Sequence, residues 1–213
     1  MENLDTEKQV AKYLLDIKAV KLQPEQPFTW ASGWHSPIYT DNRKTLSYPE
    51  VRKYLVSQFV EKIKAQYPDV ELIAGVATGA IAVGVLVAEA MGLPFVYVRS
   101  SSKNHGLENQ VEGVCNPGQK TVVIEDLVST GMSSLKAVTA LREKEVNVMG
   151  MLAIFTYGFP VAEQAFKEAN CTLNTLSNYN SLIALAQEAG YVQPAQLETL
   201  LAWRKSPETW GQN

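Results

Sequence analysis

The residues whose types and spacing best suit chemistry lie in TVVIEDLVSTGMSSLKAV, Thr121 to Val138. An apolar run ends in two carboxylates, Glu125 and Asp126. A small-residue turn follows, Ser129-Thr130-Gly131, and helical spacing resumes at Ser133. Small residues let backbone amides approach a ligand closely. The start of a helix adds N–H groups without partners and the positive end of its dipole. Such a cup suits a phosphate dianion, with the hydroxyls of Ser129, Thr130 and Ser133 as further donors. The carboxylates repel phosphate, so they are expected beside it, on sugar hydroxyls or a magnesium ion. Adjacent strand residues point to opposite faces. One acid is therefore expected to face the ligand and the other to act through water or an intervening group. The plainer alternative is an ordinary strand–turn–helix with a Ser or Thr cap; the features gathered in one stretch weigh against it.

Three further segments carry candidate groups. VRSSSKNHGLENQVEGVCNPGQ, Val98 to Gln119, is long, polar and punctuated by glycine, the pattern of a lid or binding loop. It concentrates Arg99, Lys103 and His105, which suit a pyrophosphate leaving group whose charge must be neutralised. A solvated loop is the plainer alternative. PFTWASGWHSPIYTDNR, Pro27 to Arg43, gathers Phe28, Trp30, Trp34 and Tyr39, either as packing or as the lining of a small-ligand site. GVATGAIAVG, from Gly75, is a strand end followed by a tight turn of small residues, which packing alone also explains. Gly79–Gly84 has P-loop spacing but runs into Val85-Leu86. Gly113–Gly118 is followed by Gln119-Lys120-Thr121. Neither indicates a nucleoside triphosphatase.

The elements that must position these groups follow from periodicity. Thr6-x-x-Gln9 and Ser47-x-x-Glu50 are capping-box patterns ahead of helical spacing, the second with Pro49 in its first turn. From residue 71 strands and helices alternate. Strands are predicted at Glu71–Val76, Phe95–Val98, Thr121–Glu125, Val146–Phe155 and Thr172–Leu176. Helices are predicted at Ile81–Met91, Ser133–Arg142, Val161–Ala169 and Leu182–Ala189. This alternation implies an α/β fold, a central mainly parallel sheet with helices on both faces. Ligands of such sheets bind outside the carboxyl ends of the strands. The chain has 213 residues, 46% hydrophobic and 19% charged, enough for one domain with an elaboration. With 22 acids against 19 bases and a net charge of −3, it is a poor candidate for a nucleic-acid binder. Cys115 and Cys171, with His35 and His105, do not make a disulfide framework or a zinc site. The first residues lack the apolar core of a secretory leader, and the longest uncharged run, Leu72 to Ala88, falls short of a membrane span. A cytoplasmic address with reduced thiols is expected.

Thr121–Val138 resembles the phosphoribosyl-pyrophosphate motif of the type I phosphoribosyltransferases. The lid segment, with Arg99, Lys103, His105-Gly106 and Asn109-Gln110-Val111-Glu112-Gly113, is similar to that of the orotate phosphoribosyltransferases. So is Phe28-x-x-x-Ser32-Gly33-x-x-Ser36-Pro37-x-Tyr39-x-Asp41-x-Arg43. The similarity covers residues 5 to 205. It implies one phosphoribosyltransferase domain over 1–213, with 1–45 forming a hood. It also implies transfer of ribose 5-phosphate from phosphoribosyl pyrophosphate to orotate, in pyrimidine biosynthesis. By the same resemblance Lys103, Asp126 and His105 are catalytic. Phosphoribosyl pyrophosphate is bound by Arg99, Lys103, His105, Glu125, Asp126, Leu127, Val128, Ser129, Thr130, Gly131, Met132 and Ser133, and orotate by Ser129 and Phe28. Mg2+ is held mainly by substrate and water, with no protein ligand, and a homodimer shares lid residues between subunits. Departures from the family pattern are Met132, Ala31, Ser100-Ser101-Ser102 in place of a further lysine, and the order Thr78-Gly79-Ala80. The alternatives are a type I enzyme using another base, and a non-catalytic regulator that senses phosphoribosyl pyrophosphate.

Overall fold

The computed structural model describes the backbone of residues 2–30, 32–100 and 110–211, with side chains from residue 6 onward. In chain order the elements are α1 (Glu2–Asp16), β1 (Val20–Leu22), β2 (Phe28–Thr29), β3 (His35–Ser36), β4 (Ile38–Thr40), α2 (Pro49–Gln66), β5 (Leu72–Val76), α3 (Ile81–Met91), β6 (Phe95–Val98) and β7 (Val111–Glu112). Then come β8 (Lys120–Val128), α4 (Met132–Glu143), β9 (Asn147–Thr156), α5 (Pro160–Glu168), β10 (Leu173–Asn178), α6 (Tyr179–Glu188) and α7 (Pro194–Lys205). They form two compact units, Met1–Thr45 with Ser177–Asn213, and Leu46–Leu176.

The Leu46–Leu176 unit is built on a six-stranded sheet of order β10-β9-β8-β5-β6-β7. The pairs β5–β6, β5–β8 and β8–β9 are parallel, and β7 is an antiparallel edge on β6. All five residues of β5 are buried, as expected of a strand covered on both faces. From β5 the chain moves one way along the sheet, through α3 to β6. From β8 it moves the other way, through α4 to β9. Right-handed crossovers in opposite directions put α3 and α4 on opposite faces. The reversal lies between β5 and β8, so the crevice at their carboxyl ends is the place for a ligand.

The expected alternation is present, and the boundaries differ for local reasons. Thr6 lies inside α1, which begins at Glu2. Pro49, with its fixed φ, starts α2. The cap is Tyr48, extended and making no side-chain cap bond, while Ser47 closes a 3-10 turn. After residue 71, two elements escaped the periodicity. β7 is only two residues long. α7 starts at Pro194 behind a capping box between Gln193 and Gln196 and buries Leu200 and Trp203.

In the other unit α1 lies against α6, and β1 pairs with β4 and β2 with β3. Its centre is aromatic. Trp203 is fully buried, donates from Nε1 to the His35 carbonyl at 3.1 Å, and meets Trp30 edge-on and Tyr179 at a tilt. Tyr179 Oη donates to the Leu200 carbonyl at 2.9 Å.

Candidate active site

Strand β8 runs to Val128, beyond the expected end at Glu125, and this sets the site. Its register with β5 stops at Gly75↔Ile124, whereas with β9 it continues through Leu127↔Phe155 to Val128↔Thr156. From Glu125 onward β8 therefore has a partner on one side only. On the other side the chain after β5 turns through Ala77–Ala80, with a cis peptide between Ala77 and Thr78. The two acids sit at this notch, where the strand order reverses.

They point different ways. Glu125 is only 4% exposed. Its Oε2 accepts from Ser134 Oγ at 2.8 Å and its Oε1 from the Asp126 amide at 2.9 Å. Burial, and then the neighbouring Asp126 carboxylate, push the Glu125 carboxyl well above the usual glutamate range. Asp126 is half-buried and lies against the turn after β5. A β-carbon on Gly79 would collide with its carboxylate, so glycine there lets the acid meet the turn. The order Thr78-Gly79-Ala80 has this packing as its reason.

The phosphate cup is the entry to α4. Gly131 is left-handed at φ +81° and no side chain caps the helix, so its first amides have no partner within the helix and none from a cap. Thr130 N donates to Ser129 Oγ at 2.6 Å, which ties that hydroxyl into the loop. Met132 is 67% exposed and Ser133 is also exposed. Leu127 is half-buried. Val128 belongs to the core, and its carbonyl accepts from Tyr157 N at 3.2 Å and Thr156 Oγ1 at 3.1 Å.

Arg99 leaves β6 toward the same end of the sheet. Its amide donates to the Gln110 carbonyl at 2.8 Å and its Nη1 meets Glu112 Oε1 at 3.5 Å. The expected lid is thus pinned at its base by β7. Lys103 and His105 lie outside the described residues. Phe28 belongs to the other unit, half-buried, its ring 5.5 Å from that of Tyr39. Trp30 and Trp34 stack at 6.4 Å, and Trp30 Nε1 donates to the Ile38 carbonyl at 3.2 Å. These contacts all lie within that unit.

Two participants were missed in the sequence: Ser134 holds Glu125, and Lys136 lines a small cavity with Arg99 and Ser133. Glu112, named there within the lid motif, pairs with Arg99. Helical phase was the available signal for Ser134, which shares a buried face with Ala137, Val138 and Leu141. Among the described residues no group of three or more His, Cys, Asp or Glu side chains could hold a metal ion. With Glu125 turned inward, Asp126 is the carboxylate presented at the notch. One carboxylate suits a magnesium ion that keeps its waters and rides on substrate phosphates.

Residues 45–181 match the phosphoribosyl transferase domain family. Over 204 residues the chain is 57% identical to an orotate phosphoribosyltransferase of Porphyromonas gingivalis, covering 96% of this chain and 97% of that protein. It is 56% identical over 210 residues to the orotate phosphoribosyltransferase of Bacteroides fragilis, covering 99% and 98%. The crystal structure of orotate phosphoribosyltransferase from Aeropyrum pernix superimposes with a TM-score of 0.75 at 26% identity, over 86% of this chain and 99% of that one. With the acid pair at the sheet reversal and the uncapped turn before α4, these likenesses settle the lineage: the chain belongs to the orotate phosphoribosyltransferase family.

Proposed function

We propose that the protein transfers the 5-phosphoribosyl group from phosphoribosyl pyrophosphate to orotate, releasing pyrophosphate and orotidine 5′-monophosphate. The observation that carries this reading is the uncapped turn at 129–133 beside an acid pair of unequal environment. In the reaction the bond from the anomeric carbon to the pyrophosphate oxygen breaks and a bond to the orotate ring nitrogen forms. That nitrogen gives up its proton. Positive charge builds on the sugar as the leaving group departs, so the protein's task is to hold both ends and balance charge.

The amides of 131–133 anchor the 5′-phosphate. Asp126, held against Gly79, takes the ribose hydroxyls and faces the developing positive charge, while Glu125 positions it from behind through the 125–126 backbone. Magnesium, when bound, would neutralise the pyrophosphate and would be held mainly by substrate oxygens and water. Arg99, Lys103 and His105 are assigned to the leaving group. Ser129 and Phe28 are assigned to orotate. A homodimer in which the loop of one copy serves the site of its partner belongs to the same reading, as does a cytoplasmic address. No described helix is long and apolar enough to cross a membrane.

Loss of orotate absorbance with phosphoribosyl pyrophosphate and magnesium tests the reaction. Consumption of adenine or uracil in preference to orotate, or binding of phosphoribosyl pyrophosphate without turnover, overturns it. Lys103→Ala is expected to lower kcat by about 10²–10³-fold, the worth of a donor aimed at developing charge. Mixing inactive Lys103→Ala and Asp126→Ala proteins is expected to restore partial activity if sites are shared; no recovery removes the shared-lid assignment.

A further inference from the structure

A cavity of about 100 Å³ lies between the first turns of α4 and the ends of β5 and β6. Val76, Ala77, Val98 and Ala137 give it apolar walls; Ser100 and Ser133 add hydroxyls, and Arg99 and Lys136 add two cations. No carboxylate lines it. Its volume is roughly three water volumes at ~30 Å³ each, enough for one tetrahedral phosphoryl group. Arg99 uses one nitrogen toward Glu112 at 3.5 Å, which leaves most of its five N–H donors available. Lys136 is exposed and has no ion pair or hydrogen bond among the described residues. Two cations from different elements converge on this small cavity, and one of them has no assigned task.

Resting on the transferase reading, we propose that Lys136 binds the pyrophosphate end of phosphoribosyl pyrophosphate and is a specificity residue for diphosphate over monophosphate ligands. Position supports this end of the substrate. The amides at 131–133 serve the 5′-phosphate, whereas Lys136 stands one helical turn past Ser133, facing Arg99 and Ala77 on the β5–β6 side of the sheet reversal. With the sugar held at Asp126, the phosphate group on that side is the one that leaves. Ser100 brings only a hydroxyl from the end of β6, and Lys136 supplies from α4 the second charge that this wall lacks.

The test is calorimetric titration of the full chain with inorganic pyrophosphate, phosphoribosyl pyrophosphate and orotidine 5′-monophosphate, each with magnesium. Lys136→Gln is expected to weaken the first two about tenfold, the worth of one charge-assisted hydrogen bond. Orotidine 5′-monophosphate, which lacks the diphosphate, is expected to bind within about twofold of native. In kinetics the KM for phosphoribosyl pyrophosphate is expected to rise more than kcat falls, and Lys136→Arg to retain most of the affinity. The residue is exposed, so an unchanged melting temperature accompanies these effects. Unaltered pyrophosphate binding by Lys136→Gln overturns the proposal. So does equal weakening of the monophosphate, which places Lys136 at the other end of the substrate. Failure of the native chain to consume orotate instead counts against the transferase reading, and the pyrophosphate titration still decides the role of Lys136.

Discussion

At Gly131 backbone conformation and packing make the same demand. Its φ of +81° lies in the region that side chains avoid, and a β-carbon would come within 2.9 Å of the Phe166 ring. Gly131→Ala is expected to destabilise the fold by about 1–2 kcal/mol for the left-handed residue alone. It should also weaken orotidine 5′-monophosphate binding, because the turn that aims the amides moves; unchanged melting and unchanged affinity would contradict both. Glu125 makes a pH-dependent demand. Its carboxyl is pushed upward by burial and by Asp126, so the folded chain prefers it protonated. The sign follows by linkage. This contribution is fully present below the unfolded-state value of about 4.3 and is lost as pH rises through the folded value. Glu125→Gln keeps a neutral group able to accept from Ser134, so urea unfolding should show its advantage over native widening from pH 4.5 upward. A constant difference across that range would rule out a raised Glu125 carboxyl.

At the scale of elements the decisive feature is the unequal reach of three neighbouring strands. β8 pairs with β9 to Val128 but with β5 only to Ile124, and the acids occupy the difference. The turn after β5 fills the notch from one side and α4 closes it from the other, through Ser134. Gly79→Ala should displace the Asp126 carboxylate and lower kcat, with 5′-phosphate affinity nearly native because the 129–133 turn is untouched. Equal losses in both would place Asp126 on the phosphate. Ser134→Ala removes the donor that favours ionised Glu125. It should cost about 1–1.5 kcal/mol of stability and raise the Glu125 carboxyl further. Ser134→Thr, which keeps the hydroxyl, should recover the pH dependence of unfolding; failure to do so would mean that the bond does not tune Glu125.

On the scale of the whole molecule, two units carry separate cores. The sheet unit is aliphatic at its centre, with Leu72, Ala74, Val96, Val123 and Met151 fully buried. The other unit rests on Trp203, Tyr179 and Trp30 and on the bond from Trp203 to His35. Trp203→Ala should cost about 3–5 kcal/mol. The loss should appear as faster amide exchange in residues 1–45 and 177–213; protection kept in α6 and α7 would show that the tryptophan is not their anchor.

The sequence by itself determined the order and kind of the elements from residue 71 onward apart from β7 and α7, because buried strands and amphipathic helices write their periods into consecutive residues. α3 and β6 fall where the apolar runs place them. It also determined the small-residue turn before α4, since a left-handed glycine and short side chains are local requirements. Only the tertiary structure decided which acid faces the notch. That depends on where β5 stops pairing with β8, a register between segments about fifty residues apart, and on a serine one helical step past the turn. The same holds for Lys136. It reads as a solvated helix residue until α4 is laid across the ends of β5 and β6, because long-range pairing leaves no period in the chain.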